Sequence, residues 1–381
     1  MYVLKLSSAP WHYSMTNKSG HDPYDESDKD STPGFKDALL SLEHSPNVHS
    51  TGLRFNKNCY AADGLAMWPC SGTSEYRAKV LESLFSWLAT LKSPIEAVSI
   101  WNQQCIRVYS RDLAAMINTV LRTVKSLRLR LVAEWDHAAP ESSLHSDALH
   151  AFFASFHTTR PKPSSSTQHL TLSCDRHYGF IPYLNLTEVH SPPLKHLILN
   201  MFTFAMDPHL TWVVSHASTL AAFYLDECSI LYDLGVNDDG LRNVTLSESE
   251  MEQRAYPRTD PEFPKMMRDA YFYSCPKRWN HLFDTFRTSL PHLRDFRMGP
   301  GPDEDDATPT MNSPPFEWEG EIKKRLVTER YLAFYFDDYV LEDEILEDAA
   351  SYMRVPGCDE EDRMALSAFL RETGQGVREN T

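Results

Sequence analysis

The chain has 381 residues, of which 42% are hydrophobic and 12% aromatic, so it is too apolar to be disordered and long enough for one large or two ordinary domains. Its net charge is −16. Residues 301–381 hold 21 acidic and 8 basic side chains, which leaves a net charge of only −3 on the first 300 residues. Sequence-independent binding to nucleic acid or to an anionic membrane needs a basic surface, so the composition argues against both partners.

The cysteines and the N-terminus indicate an intracellular protein. There are 7 cysteines, widely spaced and without a Cys-x-x-Cys pair, which is typical of reduced thiols rather than of a disulfide framework or a zinc ribbon. The first residues do not have the pattern of a signal peptide, and no apolar run approaches the roughly 20 residues of a membrane span. We therefore expect a cytoplasmic or nuclear protein that does not bind membranes.

Polar stretches divide the chain. Residues 14–34 are rich in Ser, Asp, Lys, Pro and Gly, and we expect residues 1–34 to form a flexible N-terminal arm. A similar stretch at 235–264 is predicted to be an insertion within a body that spans residues 35–300. The acidic residues 301–381 are expected to form a C-terminal segment with a capping strand and helix.

One pattern, apolar-x-x-apolar-x-apolar, recurs through the body. Its alternating end predicts a short strand, because side chains two residues apart face the same side of a sheet. The last apolar positions are 29, 43, 27, 26 and 73 residues apart, and three of these distances fall within the range of leucine-rich repeats. The six copies end at Ile100, Leu129, Leu172, Leu199, Leu225 and Met298.

Helical patterns fill the intervals between the predicted strands. Apolar residues spaced i, i+3, i+4 and i+7 predict amphipathic helices over 81–91, 113–121, 149–156, 210–217 and 279–290. Asp207 followed by Pro208 is a good start for the fourth helix, with Asp as its N-cap.

Alternating strands and helices can form either a doubly wound sheet or a curved solenoid. Strands of a doubly wound sheet are apolar on both faces. Here polar residues flank the leucines: Arg128 and Arg130 flank Leu129, and Tyr224 and Asp226 flank Leu225. We therefore expect an α/β fold in the form of a curved leucine-rich-repeat-like solenoid, with parallel strands on its concave face and helices on its convex face.

No catalytic or metal-binding motif stands out in the sequence. The patterns GxGxxG, GxxxxGK[ST], GxSxG and HExxH are all missing, and the 14 glycines make phosphate-binding loops improbable. His209 and His216 share a predicted helix, but without a third ligand nearby we expect two surface histidines. The acidic run at 337–348 does not have the spacing of a calcium-binding loop and is expected to be solvated. We expect no enzyme, no metal and no cofactor.

The expected concave face is the candidate binding surface, since a rigid row of side chains loses little entropy when it binds. Trp101, Arg128, Arg130 and Tyr224 are the predicted anchors for a protein partner, with Asn200 and Asp226 beside them. The same face is expected to include Ser99, Thr171, Ser173, Ile198 and Arg297. The alternative, an α/β enzyme of unrecognised type, would need a deep pocket where polar residues converge.

A set of segments in a fixed order carries a family resemblance, and no single one of them is diagnostic. They are 35–42, 48–55, 75–85, 94–100, 194–204, 212–231 and 278–296, and they include Leu194-Lys195-His196-Leu197 and Leu290-Pro291-His292-Leu293. By the order of these segments, the chain resembles the large fungal family of F-box-like proteins with degenerate leucine-rich repeats. The resemblance implies a repeat module that presents a protein substrate to a ubiquitin ligase. Binding of a Skp-type adaptor and a cullin is expected only if an F-box is present, and residues 1–34 do not contain its Leu-Pro start and apolar run. A leucine-rich-repeat binding protein without a ubiquitin-ligase role is the alternative.

Overall fold

Short strands and helices form most of the part of the chain that the structure describes. The computed structural model describes residues 2–7, 32–41, 48–55, 59–60, 72–105, 111–132, 166–180, 182–184, 186, 191–236, 252–254, 271–299, 326, 330–335 and 356–375. The strands are β1 (Tyr2–Ser7), β2 (Val48–Arg54), β3 (Cys59–Tyr60), β4 (Gly72–Thr73), β5 (Ala97–Gln104), β6 (Ser126–Val132), β7 (His169–Cys174), β8 (His196–Asn200), β9 (Thr203–Phe204), β10 (Ala222–Asp226), β11 (Ser229–Val236), β12 (Glu252–Arg254), β13 (Tyr271–Ser274), β14 (Asp295–Gly299) and β15 (Tyr331–Tyr335). The helices are α1 (Thr32–Ser41), α2 (Ser74–Thr90), α3 (Arg111–Leu121), α4 (Asp207–Val214), α5 (Trp279–Ser289) and α6 (Asp359–Glu372).

The main sheet of the described residues has eight strands in the order β1-β2-β5-β6-β7-β8-β10-β14. All of its pairings are parallel. Spatial order follows chain order without a reversal, whereas the strand order of a doubly wound sheet reverses at a switch point. The α/β class and the parallel sheet are thus confirmed. Residues 2–7, which the sequence places in the N-terminal arm, form the first strand of this sheet.

One backbone contact recurs at every step from β5 to β14 and defines the repeat. The carbonyl of Glu96 accepts hydrogen bonds from the N–H groups of both Lys125 and Ser126, at 2.8 and 3.0 Å. The carbonyls of Lys125, Gln168, Lys195 and Ala221 each accept the equivalent pair from the next unit. Each of these carbonyls belongs to the residue after the first apolar position of the sequence pattern, so the pattern marks structurally equivalent sites.

The apolar positions of the pattern form the core. In the unit that ends at Leu225, the side chains of Leu220, Phe223 and Leu225 are completely buried, and all positions of the other five copies are buried as well. Phe223 and Phe296 of neighbouring strands contact Phe286 of α5, with ring centroids 5.3 and 6.4 Å away. The side of the sheet that carries the leucines is therefore the side that packs against the helices.

Four predicted helices correspond to described helices. They are α2, α3, α4 and α5, of which α4 begins at Asp207 with Pro208 in its first turn. The N-cap of α4 is Met206 rather than Asp207. Helices that are consecutive in the chain pack together, as α1 does with α2, and α2 with α3. The predicted helix at 149–156 and the acidic run at 337–348 lie outside the described residues.

A second sheet is built around β11, which follows β10 of the main sheet in the chain. In the described residues it has the order β12-β13-β11-β15, and β9 also pairs with β11. The pairing of β11 with β13 is antiparallel, and that with β15 is parallel. The C-terminal segment contributes β15 and then α6, which packs against α5. A strand and a helix are described after residue 301, and the strand joins the second sheet.

Candidate functional site

The side of the main sheet opposite the leucines forms a grid of aligned side chains, which we call the polar face. Parallel register places equivalent residues of neighbouring strands side by side. Its central row is Gly52, Ser99, Arg128, Thr171, Ile198, Tyr224 and Arg297. The preceding row is Ser50, Ala97, Ser126, His169, His196, Ala222 and Asp295. The following row contains Arg54, Trp101, Arg130, Ser173, Asn200, Asp226 and Gly299.

The residues predicted as a binding surface all lie on the polar face, but their exposure differs. Trp101, Arg128, Arg130 and Tyr224 are partly exposed, as is Arg297. The shorter side chains are buried: Ser99, Thr171, Ser173, Ile198, Asn200 and Asp226. The long side chains are therefore the ones that a partner could reach.

The half of the polar face formed by β2, β5, β6 and β7 is basic, and we call it the basic half. Its face positions include Arg54, Arg128 and Arg130 and do not include a carboxylate. The guanidinium of Arg54 lies over the Trp101 ring, 5.6 Å from its centroid. The Trp101 indole donates to Ser99 Oγ at 2.9 Å, which fixes the orientation of the ring on the sheet.

The other end of the polar face carries its own counter-charges. Arg297 donates to the Asp295 carboxylate at 3.0 Å, and the Tyr224 hydroxyl donates to the same group at 2.6 Å. Arg297 also lies over the Tyr224 ring, 4.8 Å from its centroid. Gln375, just after α6, donates to Asp295 at 2.7 Å and accepts from the backbone N–H of Phe296 at 2.7 Å. The chain after α6 thus covers part of the backbone of β14.

Two stacked histidines separate these ends. The rings of His169 and His196 lie 4.2 Å apart between centroids at an angle of 17°. Desolvation lowers the pKa of His169 to about 4, and the nearby charges of His196 and Arg128 act in the same direction. Desolvation also lowers the pKa of His196, although the Asp295 carboxylate opposes the shift. Both rings are therefore neutral at pH 7.

Sequence reasoning did not predict a buried polar chain at the ends of the strands. Ser173 Oγ donates to Asn200 Oδ1 at 2.8 Å, and Asn200 Nδ2 donates to Asp226 Oδ2 at 3.0 Å. The three residues follow the last apolar position of consecutive repeats, so the period itself was the available signal. Asn200 and Asp226 were predicted to bind a partner, but in the structure they connect β7, β8 and β10.

Cys228 is a second feature that the sequence reasoning missed. It lies three residues after Leu225, at the position where leucine-rich repeats carry Asn or Cys. Its buried thiol donates to the backbone carbonyl of Leu199 in the previous unit at 3.2 Å. Burial raises the pKa of this thiol, so it remains protonated and able to donate.

The prediction that His209 and His216 are surface residues is wrong. Each is only 1% exposed, because His209 in α4 and His216 just after it both pack against aromatic neighbours. His209 lies between Phe202 and Tyr183, with centroids 5.0 and 6.0 Å away, and Trp212 contacts His216. Among the residues that the structure describes, no group of three or more His, Cys, Asp or Glu side chains could hold a metal ion.

Comparison with known proteins does not supply a relative. No family model matches the chain, and no curated protein or solved structure is significantly similar to it. Within the described part of the chain, none of the helices has both the length and the apolar character needed to cross a membrane.

Proposed function

We propose that the chain is a non-enzymatic protein-interaction scaffold whose repeats present the polar face to a protein substrate, as in F-box proteins of ubiquitin ligases. The observation that carries this proposal is the main sheet itself, in which each unit stacks on the previous one through the same bifurcated backbone contact. A rigid array of this kind displays side chains at fixed spacing, so a partner binds without first ordering the surface.

The proposal includes a curved, leucine-rich-repeat-like solenoid. Parallel strands are about 4.8 Å apart, whereas packed helices need about 8–10 Å between their axes. When every unit places its helix on the same side, the helical side is longer than the strand side. The sheet then bends with its polar face inward, which brings Trp101, Arg128, Arg130 and Tyr224 toward a bound partner.

Trp101, Arg128, Arg130 and Tyr224 are the anchors in this proposal, because each is partly exposed on the polar face. Trp, Tyr and Arg are also the residue types that contribute most to binding at protein interfaces. Asn200 and Asp226 support the anchors, since their hydrogen bond joins β8 to β10 two residues after Tyr224.

Quantitative affinity purification of the tagged chain tests the scaffold function. The double variant Arg128→Glu plus Arg130→Glu should recover about tenfold less of the specific partners, because the charge of the anchor positions is reversed. Lys92→Glu plus Arg122→Glu is the matched control, since both residues are exposed and off the sheet and the change in net charge is the same. Identical partner sets for the wild type and the sheet variant would contradict the proposal.

The same eluates test the ubiquitin-ligase role. If the protein carries an F-box, a Skp-type adaptor and a cullin should be present with the wild type and should remain with the sheet variant, because the adaptor is not expected to bind the polar face. Partners that depend on the polar face without any adaptor or cullin would favour a leucine-rich-repeat binding protein that has no role in ubiquitylation.

A further inference from the structure

His169 and His196 form a pair of imidazoles on the polar face that the proposed function does not use. Parallel register places the two residues side by side on the neighbouring strands β7 and β8. Each directly precedes the second apolar position of its repeat, which is Leu170 in one unit and Leu197 in the next. The repeat thus brings together two metal-ligating side chains that do not belong to any contiguous motif, which is why the sequence did not predict a metal site here.

The nitrogens of both rings are available to a ligand. Among the residues that the structure describes, neither imidazole has a hydrogen-bond or ion-pair partner, and the contact between them is the stack of their rings. Both residues are partly exposed, and their ring nitrogens remain accessible to solvent. A neutral imidazole has one nitrogen with a free lone pair, which is the form that binds metal ions.

Two other described histidines show by contrast what a structural role requires. The His216 ring is engaged on both sides, with Nδ1 2.9 Å from the carbonyl oxygen of Trp212 and Nε2 accepting from the backbone N–H of Ser191 at 3.4 Å. Both nitrogens of His209 are completely buried. His169 and His196 instead combine mutual contact with open nitrogens.

From this geometry we propose that His169 and His196 together bind a divalent ion of the late first-row transition metals, such as Zn²⁺ or Ni²⁺. The proposal goes beyond the scaffold function and does not depend on it. Imidazole is a favourable ligand for these ions, whereas Mg²⁺ and Ca²⁺ prefer oxygen. The chain supplies two ligands at this place and water completes the coordination, which leaves positions open for a side chain of another protein.

The two rings have to turn out of their stack to share one ion. Their centroids are 4.2 Å apart and their planes differ by only 17°. An ion bound tetrahedrally at about 2.0–2.1 Å from two imidazole nitrogens holds these nitrogens about 3.3 Å apart, with both lone pairs directed at the ion. The terminal torsion of a histidine side chain has a broad minimum, so the rings can turn without a change of backbone.

The surrounding charges limit the affinity. Arg128 and Lys195 act on both rings and oppose a cation, whereas the carboxylate of Asp295 acts on His196 and favours one. We therefore expect dissociation constants in the micromolar range, much weaker than those of closed zinc sites with four protein ligands.

Isothermal titration calorimetry of the full chain with ZnCl₂, and separately with NiCl₂, tests the proposal. His169→Gln and His196→Gln should each weaken the binding at this site about tenfold, because one imidazole alone loses the advantage of a linked second ligand. The double variant should be little weaker than either single variant, since the two residues act as one unit. His281→Gln plus His292→Gln is the matched control, at two exposed histidines off the sheet, and should bind like the wild type.

Nuclear magnetic resonance of the imidazole nitrogens provides a readout on the wild type that does not depend on a variant. The signals of His169 and His196 should shift together when ZnCl₂ is added and should not shift with MgCl₂. Zn²⁺ should also raise the melting temperature of the wild type by more than that of the double variant, because the ion binds the folded state. Equal melting temperatures without metal would show that the variants are folded.

Three results would overturn the proposal. They are equal binding of Zn²⁺ by the wild type and the double variant, loss of binding on substitution of only one of the two histidines, or a shift of only one imidazole in the wild type.

Discussion

Asp362 in α6 accepts a hydrogen bond from the backbone N–H of Asn280, in the first turn of α5, at 2.9 Å. A carboxylate near a helix N-terminus satisfies a free N–H group and interacts favourably with the helix dipole. The same carboxylate accepts from Arg330 Nε at 3.1 Å and from the Tyr331 hydroxyl at 2.9 Å. One completely buried acid therefore joins the C-terminal helix to the last repeat.

Replacing Asp362 should weaken the packing of α6 on the last repeat. Asp362→Ala leaves the buried Arg330 side chain without this partner, and we expect a loss of about 3 kcal/mol in the free energy of unfolding. Urea denaturation followed by tryptophan fluorescence measures this free energy. Trp279 reports on the region because its indole donates to the backbone carbonyl of Arg330. The neighbouring exposed Glu361 is the control, and Glu361→Ala should change stability by no more than about 0.5 kcal/mol. Equal effects of the two variants would show that the Asp362 contacts do not stabilise the fold.

The polar chain at the strand ends gives a second prediction. Asn200→Asp preserves size but places a carboxylate beside Asp226, where Asn200 Nδ2 now donates at 3.0 Å. Two carboxylates at this distance raise the pKa of at least one of them. A raised pKa in the folded state means that the folded variant binds more protons than the unfolded one, so its stability falls as pH rises.

The variant should therefore be least stable, relative to the wild type, at pH 7 and should recover as pH falls toward 5. Thermal denaturation at several pH values measures this difference. Asn200→Leu is the control, since it removes the amide without adding a charge; its loss of stability should not depend on pH. A constant difference between Asn200→Asp and the wild type from pH 7 to 5 would mean that Asp226 does not contact residue 200.

The main sheet could be predicted from the sequence because its signal is local. Each copy of the pattern contains its own strand and core residues, such as Leu220, Phe223 and Leu225, and each is followed by a helix or a turn. The period then gives the parallel stacking. The pattern does not by itself predict any curvature of the sheet, since curvature depends on how thick the helical layer is.

The second sheet could not be predicted because its pairings are distant in the chain. β11 is buried at every position and lacks the alternation of a half-exposed strand. Its antiparallel partner β13 begins 35 residues after β11 ends, with Val236 pairing with Tyr271. For the candidate site, the pattern predicted which residues share the polar face but not their burial, since Asn200 and Asp226 are joined by a hydrogen bond between neighbouring strands.

Because His209 is buried, we expect the folded protein to lose stability in acid. Burial, with a smaller contribution from the charge of Lys277, lowers the pKa of His209 to about 3, although the backbone at Leu184 and Gly179 opposes the shift. Because its pKa is lower in the folded state, the unfolded chain binds more protons below about pH 6.5. Stability should therefore fall as pH falls from there toward 4.

His209→Phe tests this prediction, since an aromatic ring suits the contacts with Phe202 and Tyr183. The variant should reduce the slope of unfolding free energy against pH by about 1.4 kcal/mol per pH unit between roughly pH 5.5 and 4. A wild-type slope in His209→Phe would mean that His209 can be protonated in the folded protein at little cost.

Gly179 is at the centre of a turn that connects β7 to the start of the next repeat. Its N–H donates to the carbonyl of Pro182 at 3.0 Å, and its carbonyl accepts from Leu184 at 3.1 Å. The φ angle is +106°, where residues with a side chain are strained, and a Cβ here would lie 2.7 Å from the Phe202 ring and 2.9 Å from the carbonyl oxygen of Thr203. The turn can therefore accommodate only glycine without moving.

Gly179→Ala should cost about 2 kcal/mol or more of unfolding free energy. The matched control is Gly357→Ala, where the added Cβ would not meet any atom within 4 Å. That variant should be neutral or slightly stabilising, because alanine restricts the unfolded chain. Since Tyr178 bonds to both Met201 and Thr203 through its backbone, the damage should extend to β9 and β11, and hydrogen exchange should show faster exchange there than in β5 and β6. Uniform exchange in both regions would indicate that this turn does not connect the two sheets energetically.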